Sequence, residues 1–173
     1  MYPYNLKNRT APITAKEKSN RKTSADLSAD RRLQELLQLA RQDTTVLEQK
    51  YSALLQKELL KEAVNILKTM ETDSKKHQRI LREILFTIFS DTFENIPEAV
   101  SDTEAEPKDA ENLLEEVLFT EMDDIAFYRN LLSALTGEDD LWDLIFEIIT
   151  DKQNHTAALN HLYAKYFAKT SGN

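Results

Sequence analysis

The chain has 173 residues, of which 41% are hydrophobic and 30% charged, and its formal net charge is −8. These values suit one globular domain with a substantial core, and the excess of acids argues against a nucleic-acid partner, because affinity for phosphates comes mainly from clustered Lys and Arg. The absence of cysteine excludes disulfides and thiolate metal sites, and no apolar run reaches the roughly 18 residues of a membrane helix, so we expect a cytoplasmic protein that contacts no membrane.

Residues 1–27 differ in composition from the rest of the chain. The first 25 residues carry six basic side chains and one acid, Glu17, which leaves a charge of −13 for all that follows. Pro3 and Pro12 interrupt this stretch, which lacks both helical and alternating apolar periodicity, so we predict a flexible or extended basic arm. Such an arm serves either as a solubilising leader or as a contact for an acidic protein surface, including that of a second copy of the chain.

The rest of the sequence predicts long helices. Only two glycines and four prolines occur, and every proline lies outside the strongly periodic segments, which favours an all-α fold. Apolar side chains recur at three- and four-residue steps in four segments, which we call helix A (about 28–56), helix B (about 59–90), helix C (about 109–135) and helix D (about 139–168). Ser28 is the predicted N-cap of helix A.

The connections between these helices are of two kinds. A short turn near residues 56–60 separates A from B, and Gly137 is placed to end helix C as a C-cap glycine. Between B and C the acidic segment 91–108, which contains Pro97 and Pro107, predicts a long crossover. Two helical hairpins joined in this way are typical of a ferritin-like four-helix bundle.

Polar side chains interrupt the apolar stripes at corresponding places in the two hairpins. In helix D the sequence KQNH places Lys152 and His155 among the apolar positions, where solvent-facing residues are not expected. Tyr51 precedes His77 by 26 residues, and Tyr128 precedes His155 by 27 residues, with comparable apolar stripes around each pair. The spacing indicates two hairpins of similar design.

The chain resembles the ferritin-like superfamily, and within it the rubrerythrin-like bacterial proteins, over about residues 28–168 and in its Tyr-Pro-rich opening MYPY. The resemblance implies that the first helix of each hairpin supplies a Glu seven residues before a Tyr, and that the second supplies a Glu-x-x-His pair. In that family, these six side chains hold two iron ions in the core of the bundle. Iron storage, peroxide reduction and oxygen activation are the activities that the resemblance implies.

Only three of the six implied ligand positions match. Glu121 lies seven residues before Tyr128, and His77 and His155 occupy the two histidine positions. The three lost ligand positions are filled by other residues: Thr44 in helix A, Ser74 in helix B and Lys152 in helix D. One carboxylate and one ammonium replace four carboxylates, so the set is neutral without a metal, and we expect Lys152 to point into the metal volume and to pair with Glu121.

These substitutions lead us to expect no di-iron site and no resident cofactor. The predicted function is that of a non-catalytic structural or interaction protein, which contacts others through its basic arm or as a homodimer. The alternative is a metal-binding oxidoreductase or iron-handling protein with iron or zinc on Glu121, His77 and His155, a two-histidine, one-carboxylate ligand set. A di-metal site rescued by shifted carboxylates would use Glu48 or Glu71. If His77 and His155 bind no metal, we expect them to be core residues whose ring nitrogens are hydrogen-bonded.

Several aromatic residues near the helix ends have no place in the predicted site. Trp142 lies near the start of helix D, and Phe86, Phe89 and Phe93 lie near the end of helix B. We expect them either to cover one end of the bundle or to face another subunit. His161 lies off the main stripe of helix D and is predicted to be on the surface.

Overall fold

The computed structural model describes residues 24–89, 109–135 and 139–168. These residues form four α-helices, which are α1 (Ser24–Leu55), α2 (Val64–Phe89), α3 (Ala110–Ala134) and α4 (Asp139–Tyr166). A turn and a six-residue 3-10 helix, Glu58–Ala63, connect α1 to α2. No strand occurs within the three described ranges, and the predicted all-α four-helix bundle is confirmed.

Two helix boundaries differ from those predicted. The first helix begins at Ser24, so residues 24–27 of the predicted arm are helical and Ser28 lies inside the helix instead of capping it. The segment SADL contains no Gly or Pro and includes the good helix formers Ala and Leu, which allows the helix to extend toward the N-terminus. The predicted first turn of helix B is the 3-10 helix Glu58–Ala63, whose tighter winding is common in connections between helices.

Three predicted features lie outside the described residues. They are residues 1–23 of the basic arm, the crossover segment 91–108 and the C-cap glycine Gly137. At the last described position of the third helix, the N–H of Leu135 donates to the carbonyl oxygen of Leu132. The predicted arm and crossover therefore stay predictions.

The helices pack as two antiparallel hairpins, α1 with α2 and α3 with α4. Contacts between the hairpins give their relative direction: Thr44 of α1 contacts Tyr128 of α3, whereas Tyr51, further along α1, contacts the earlier residue Glu121. Helix α1 is thus antiparallel to α3 as well as to α2. Helices α2 and α3 therefore run parallel to each other.

The core contains two apolar clusters, one toward each end of the bundle. The first includes Leu37, Ile84, Leu131 and Ile145, and the second includes Leu54, Leu67, Leu114 and Leu159. Full burial of one such side chain contributes roughly 1.5–3 kcal/mol to folding. Between the clusters lie six buried polar side chains, each at most 4% exposed: Thr44, Ser74, His77, Glu121, Lys152 and His155. All six are the ligand positions considered in the sequence.

The outer faces of the helices are mostly polar, as expected for an amphipathic bundle, but eight large apolar side chains of the described residues are exposed there. Of the aromatic residues predicted to cover an end or to face a subunit, Phe89 packs against the first cluster, whereas Phe86 and Trp142 are exposed and Phe93 lies outside the described residues. His161 is exposed, as predicted. None of the helices in the described ranges is both long and apolar enough to cross a membrane.

Candidate functional site

The buried polar side chains meet at the middle of the bundle, where all four helices contribute. Glu121 of α3 contacts both Lys152 and His155 of α4. The imidazole ring of His77, from α2, lies with its centroid 6.3 Å from that of His155. The structure therefore brings the three retained ligand positions together, with Lys152 among them.

Lys152 lies at the centre of this group. Its ammonium donates to Oε2 of Glu121 at 3.0 Å and to Oδ2 of Asp124 at 2.6 Å, and it lies 5.6 Å from the ring centroid of Tyr128. Burial by itself would lower the pKa of Lys152, but the two carboxylates outweigh that effect and hold the pKa above its usual range. The predicted contact with Glu121 is present, and Asp124 is a second anionic partner.

Glu121 is fully buried, and both of its carboxylate oxygens are occupied. Oε2 accepts the bond from Lys152, while Oε1 accepts one bond from the Tyr51 hydroxyl at 2.5 Å and one from Nδ1 of His155 at 3.1 Å. Burial would raise the pKa of Glu121, yet Lys152, His155 and Tyr51 together lower it to about 2. Glu121 is therefore a carboxylate at neutral pH.

His155 is bound on both sides by carboxylates. Its Nδ1 lies 3.1 Å from Oε1 of Glu121, and its Nε2 lies 3.1 Å from Oδ2 of Asp73. Burial lowers the pKa of this imidazole, but the bonds to Asp73 and Glu121 more than offset it, so the pKa is raised. Because ionised carboxylates only accept hydrogen bonds, both ring nitrogens carry a proton and His155 is an imidazolium.

His77 is bound differently and has a different charge. Its Nε2 lies 3.0 Å from Oδ2 of Asp151, an oxygen that also contacts the ammonium of Lys76. Burial lowers the pKa of His77, the bond to Asp151 opposes the change, and the Lys152 ammonium adds to it, so the net shift is downward. Burial alone would raise the pKa of Asp151, but the contacts with His77 and Lys76 outweigh that effect and lower the pKa to about 2. His77 is thus a neutral imidazole that donates to an ionised Asp151.

The two hairpins exchange these contacts reciprocally. The sequences DSKKH in α2 and DKQNH in α4 each place an Asp four residues before the His. Asp73 of α2 contacts His155 of α4, and Asp151 of α4 contacts His77 of α2. Two Asp–His bonds therefore join α2 to α4, one with its aspartate on α2 and the other with its aspartate on α4.

The first helices of the hairpins show the same exchange. The Tyr51 hydroxyl of α1 donates to Glu121 of α3, and the Tyr128 hydroxyl of α3 lies 3.2 Å from Thr44 Oγ1 of α1. The Thr44 hydroxyl already donates to the carbonyl oxygen of Ala40, so Tyr128 is the donor in the second pair. Thr44 occupies in α1 the position that Glu121 occupies in α3. It has no carboxylate to bind a metal, but its hydroxyl makes two hydrogen bonds there.

Sequence reasoning missed three aspartates of this network, Asp73, Asp124 and Asp151. The signal for two of them was available, because an Asp stands immediately before each of the altered ligand positions in the second helices, Ser74 and Lys152. Asp124 follows Glu121 by three residues, which places both on one side of a helix. No local signal shows which aspartate contacts which histidine, since each of those bonds joins different helices.

The carboxylates considered as substitutes for the lost ligands have other partners. Glu48 accepts a bond from Gln78 at 2.6 Å, and Glu71 accepts one from Ser52 at 2.7 Å. The ammonium of Lys75 lies between them, 3.6 Å from Glu48 and 3.4 Å from Glu71. Both glutamates are held along the α1–α2 seam, so their contacts do not support the alternative of a di-metal site rescued by shifted carboxylates.

The residues present do not fit a two-metal centre. A dication among them would lie beside the Lys152 ammonium, and Glu121 would have to give up bonds from three donors. His155 offers no lone pair while both of its nitrogens are protonated, and a metal-binding imidazole must be neutral. Within residues 24–89, 109–135 and 139–168, no group of three or more His, Asp and Glu side chains is arranged to hold a metal ion.

The network reaches the surface at Asp124. A shallow cleft of about 210 Å³ lies between α1 and α3 and is lined by residues that include Asp43, Lys50 and Asp124. Burial, together with the nearby Asp124, raises the pKa of Asp43. Asp124 lines this cleft and also contacts the fully buried ammonium of Lys152.

The chain matches no protein-family model, no curated protein and no solved structure. The resemblance to ferritin-like proteins therefore stays a prediction.

Proposed function

We propose that this chain is a ferritin-like, rubrerythrin-like bundle that has lost di-iron chemistry and acts as a metal-independent structural or interaction protein. One observation carries the proposal: the ammonium of Lys152 lies fully buried between Glu121 and Asp124, among the positions that metal ligands take in the family. A fixed cation of this kind neutralises the carboxylates without any metal and repels a dication.

The charges of the whole network support the same conclusion. The buried and partly buried groups of the network comprise four carboxylates, on Glu121, Asp124, Asp73 and Asp151, and three cations, on Lys152, Lys76 and the imidazolium of His155, while the more exposed Glu147 also contacts Lys76. The network is thus close to neutral as it stands. Two dications added to it would leave a large positive charge in a buried volume, which is unfavourable at the low effective dielectric of a core.

Anaerobic titration of the purified full chain with Fe²⁺ and Zn²⁺, followed by elemental analysis, tests the proposal. We expect no stoichiometric metal on the wild-type chain, whereas the triple variant Thr44→Glu, Ser74→Glu, Lys152→Glu should retain iron, because it restores four carboxylates around the buried histidines. The variant Lys75→Glu is the matched control, since it changes the same charge at a half-exposed site. Two tightly held irons per wild-type chain would overturn the proposal.

One observation favours the alternative, a metal-binding oxidoreductase or iron-handling protein. The retained positions Glu121, His77 and His155 do converge, and the ring centroids of the two histidines are 6.3 Å apart. Metal binding there requires Lys152 to lose its proton or leave the site, and its raised pKa opposes the first of these. The alternative therefore predicts that Lys152→Ala binds Zn²⁺ or Fe²⁺ more tightly than the wild type and that some binding is already measurable in the wild type.

A further inference from the structure

Large apolar side chains are exposed on the outer side of the α3–α4 hairpin. We call this set the α3–α4 stripe and define it as Phe119 and Met122 of α3 with Trp142 and Phe146 of α4, which are between 39% and 55% exposed. The rings of Trp142 and Phe146 stack on each other, with centroids 5.2 Å apart and planes at 10°. Grouped apolar side chains rimmed by polar ones are typical of an interaction surface.

The side chains of the α3–α4 stripe lie on either side of one seam, the line along which α3 and α4 pack against each other. The Tyr163 hydroxyl of α4 donates to Glu111 of α3, which marks where the two helices face each other near the surface. Met122 follows Glu111 by eleven residues, or three helical turns, and so lies on the same side of α3. Trp142 precedes Tyr163 by three seven-residue steps and stays on a neighbouring side of α4. The stripe therefore runs along the outer side of this seam.

The hairpin that carries the stripe is the acidic one. Helices α3 and α4 contain eleven acids and three basic residues, Arg129, Lys152 and Lys165, whereas residues 24–89 contain ten acids and eleven basic residues. The exposed acids beside the stripe include Glu115, Asp123 and Asp143. A second copy docked through the same face would bring like charges together, so the charges favour a basic occupant.

Residues 1–23 have the composition that this surface requires. They carry a charge of +5, and they also contain the apolar residues Tyr2, Tyr4, Leu6 and Ile13. No other segment of the chain combines a positive charge of this size with so few acids. Basic and apolar side chains in one segment match acids and exposed aromatic rings on one face.

The point of attachment also suits this segment. Residue 24 begins α1, and Leu37 of α1 packs in the same apolar cluster as Leu135 and Leu141, at the end of the bundle where α3 ends and α4 begins. An extended chain of 23 residues spans up to about 75 Å. A helix of 25 residues such as α3 is only about 38 Å long. The segment therefore reaches the whole stripe from its own α1.

We propose that residues 1–23 dock in cis along the α3–α4 stripe. Their apolar side chains cover Trp142 and Phe146, and their basic side chains pair with the exposed acids beside the stripe. This inference is independent of the proposed loss of metal chemistry, because it concerns the outer face of the bundle and not its centre.

Trp142 is the single tryptophan of the chain, so its fluorescence reports on the stripe directly. Acrylamide quenching of the full chain should increase by about twofold when salt is raised to roughly 1 M, because salt screens the pairing of arm and acids. The full-length variant Lys16→Glu, Lys18→Glu, Arg21→Glu, Lys22→Glu should show the same increase at low salt. The matched control Lys16→Arg, Lys18→Arg, Arg21→Lys, Lys22→Arg keeps the charges and should be quenched like the wild type. Equal quenching of all three chains would overturn the proposal.

Disulfide trapping in the full chain identifies the occupant, and the absence of native cysteines makes its result unambiguous. The double variant Ile13→Cys, Ala126→Cys should form an intramolecular disulfide at least tenfold faster than Ile13→Cys, Arg79→Cys, whose second site is exposed on α2. A disulfide between two chains would show a second copy instead and overturn docking in cis. Faster trapping of Ile13→Cys with Ala105→Cys, in the acidic segment 91–108, would overturn the proposed docking surface.

Discussion

At the scale of single residues, Lys152 helps to keep the buried carboxylate of Glu121 ionised, where burial alone would raise its pKa. Its ammonium contacts Glu121, which is fully buried, and Asp124, which is 14% exposed. A buried ion pair adds little net stability compared with apolar residues of the same volume, but removing one partner leaves an uncompensated charge. Lys152 is therefore needed to balance the buried charge of Glu121, and the pair itself adds little net stability.

The substitution Lys152→Met tests this dependence. We expect it to lower the free energy of unfolding by about 3–5 kcal/mol, because Glu121 and Asp124 lose their shared ammonium and only the His155 imidazolium is left beside the buried Glu121 carboxylate. The double variant Lys152→Met, Glu121→Gln should recover part of that loss, since the buried carboxylate is gone. Urea denaturation followed by circular dichroism measures both values, with the half-exposed Lys75→Met as control. A single variant as stable as the control would show that the pair does not have this role.

At the scale of the elements, the second helices of the two hairpins are joined by reciprocal Asp–His bonds. Asp73 of α2 contacts His155, and Asp151 of α4 contacts His77. Each Asp lies one residue before an altered ligand position and four before its own helix's His, yet it contacts the His of the other helix. The two bonds thus form only when α2 and α4 pack in this register.

The variant Asp73→Asn tests one of these bonds through its effect on His155. The Asp73 carboxylate is among the groups that raise the pKa of His155, so the neutral amide should lower that pKa. An NMR titration of the His155 ring protons measures the change. Asp109→Asn, at the N-cap of α3, removes a carboxylate that bonds the N–H of Asn112 and should leave the pKa of His155 unchanged. Equal pKa values in all three chains would contradict the assigned contact.

At the scale of the whole molecule, the buried network couples folding to pH. The pKa values of Glu121 and Asp151 are about 2 in the folded chain, below the ordinary 4.5 and 3.8. The unfolded chain therefore binds more protons as pH falls through this range, and folding is weakened by acid. His155 acts in the opposite sense: its raised pKa contributes stability that is full below about pH 6.5 and is lost as pH rises through the folded value.

The predicted consequence is a loss of stability in acid. The free energy of unfolding should fall progressively between about pH 4.5 and pH 2 as Glu121 and Asp151 become protonated. Denaturation curves at a series of pH values measure this slope. Glu121→Gln should reduce the slope, whereas Glu58→Gln, which changes an exposed side chain, should not. A slope that is the same in the wild type and in Glu121→Gln would contradict the assigned role of Glu121.

Much of the fold could be predicted because helical periodicity is a local property of the sequence. The apolar stripes placed all four helices and put Lys152 and His155 on a buried face, whereas Thr44, Ser74 and Glu121 were singled out only through the resemblance to ferritin-like proteins. The start of α1 was harder to predict from the sequence, since nothing in residues 24–27 forbids a helix and nothing before them marks its beginning. Glu48 and Glu71 show a second limit, because their bonds to Gln78 and Ser52 depend on how α1 packs against α2.

The sequence by itself determined that this is an all-α bundle and that a lysine and a histidine, Lys152 and His155, occupy buried positions at its centre, because both follow from spacing within single helices. Only the tertiary structure decided how that charge is balanced. Asp73 is 82 residues from His155, and Asp151 is 74 residues from His77, yet each pair is in contact. Contacts over such distances depend on the rotation and register of one helix against another, which the packing of all four helices sets together.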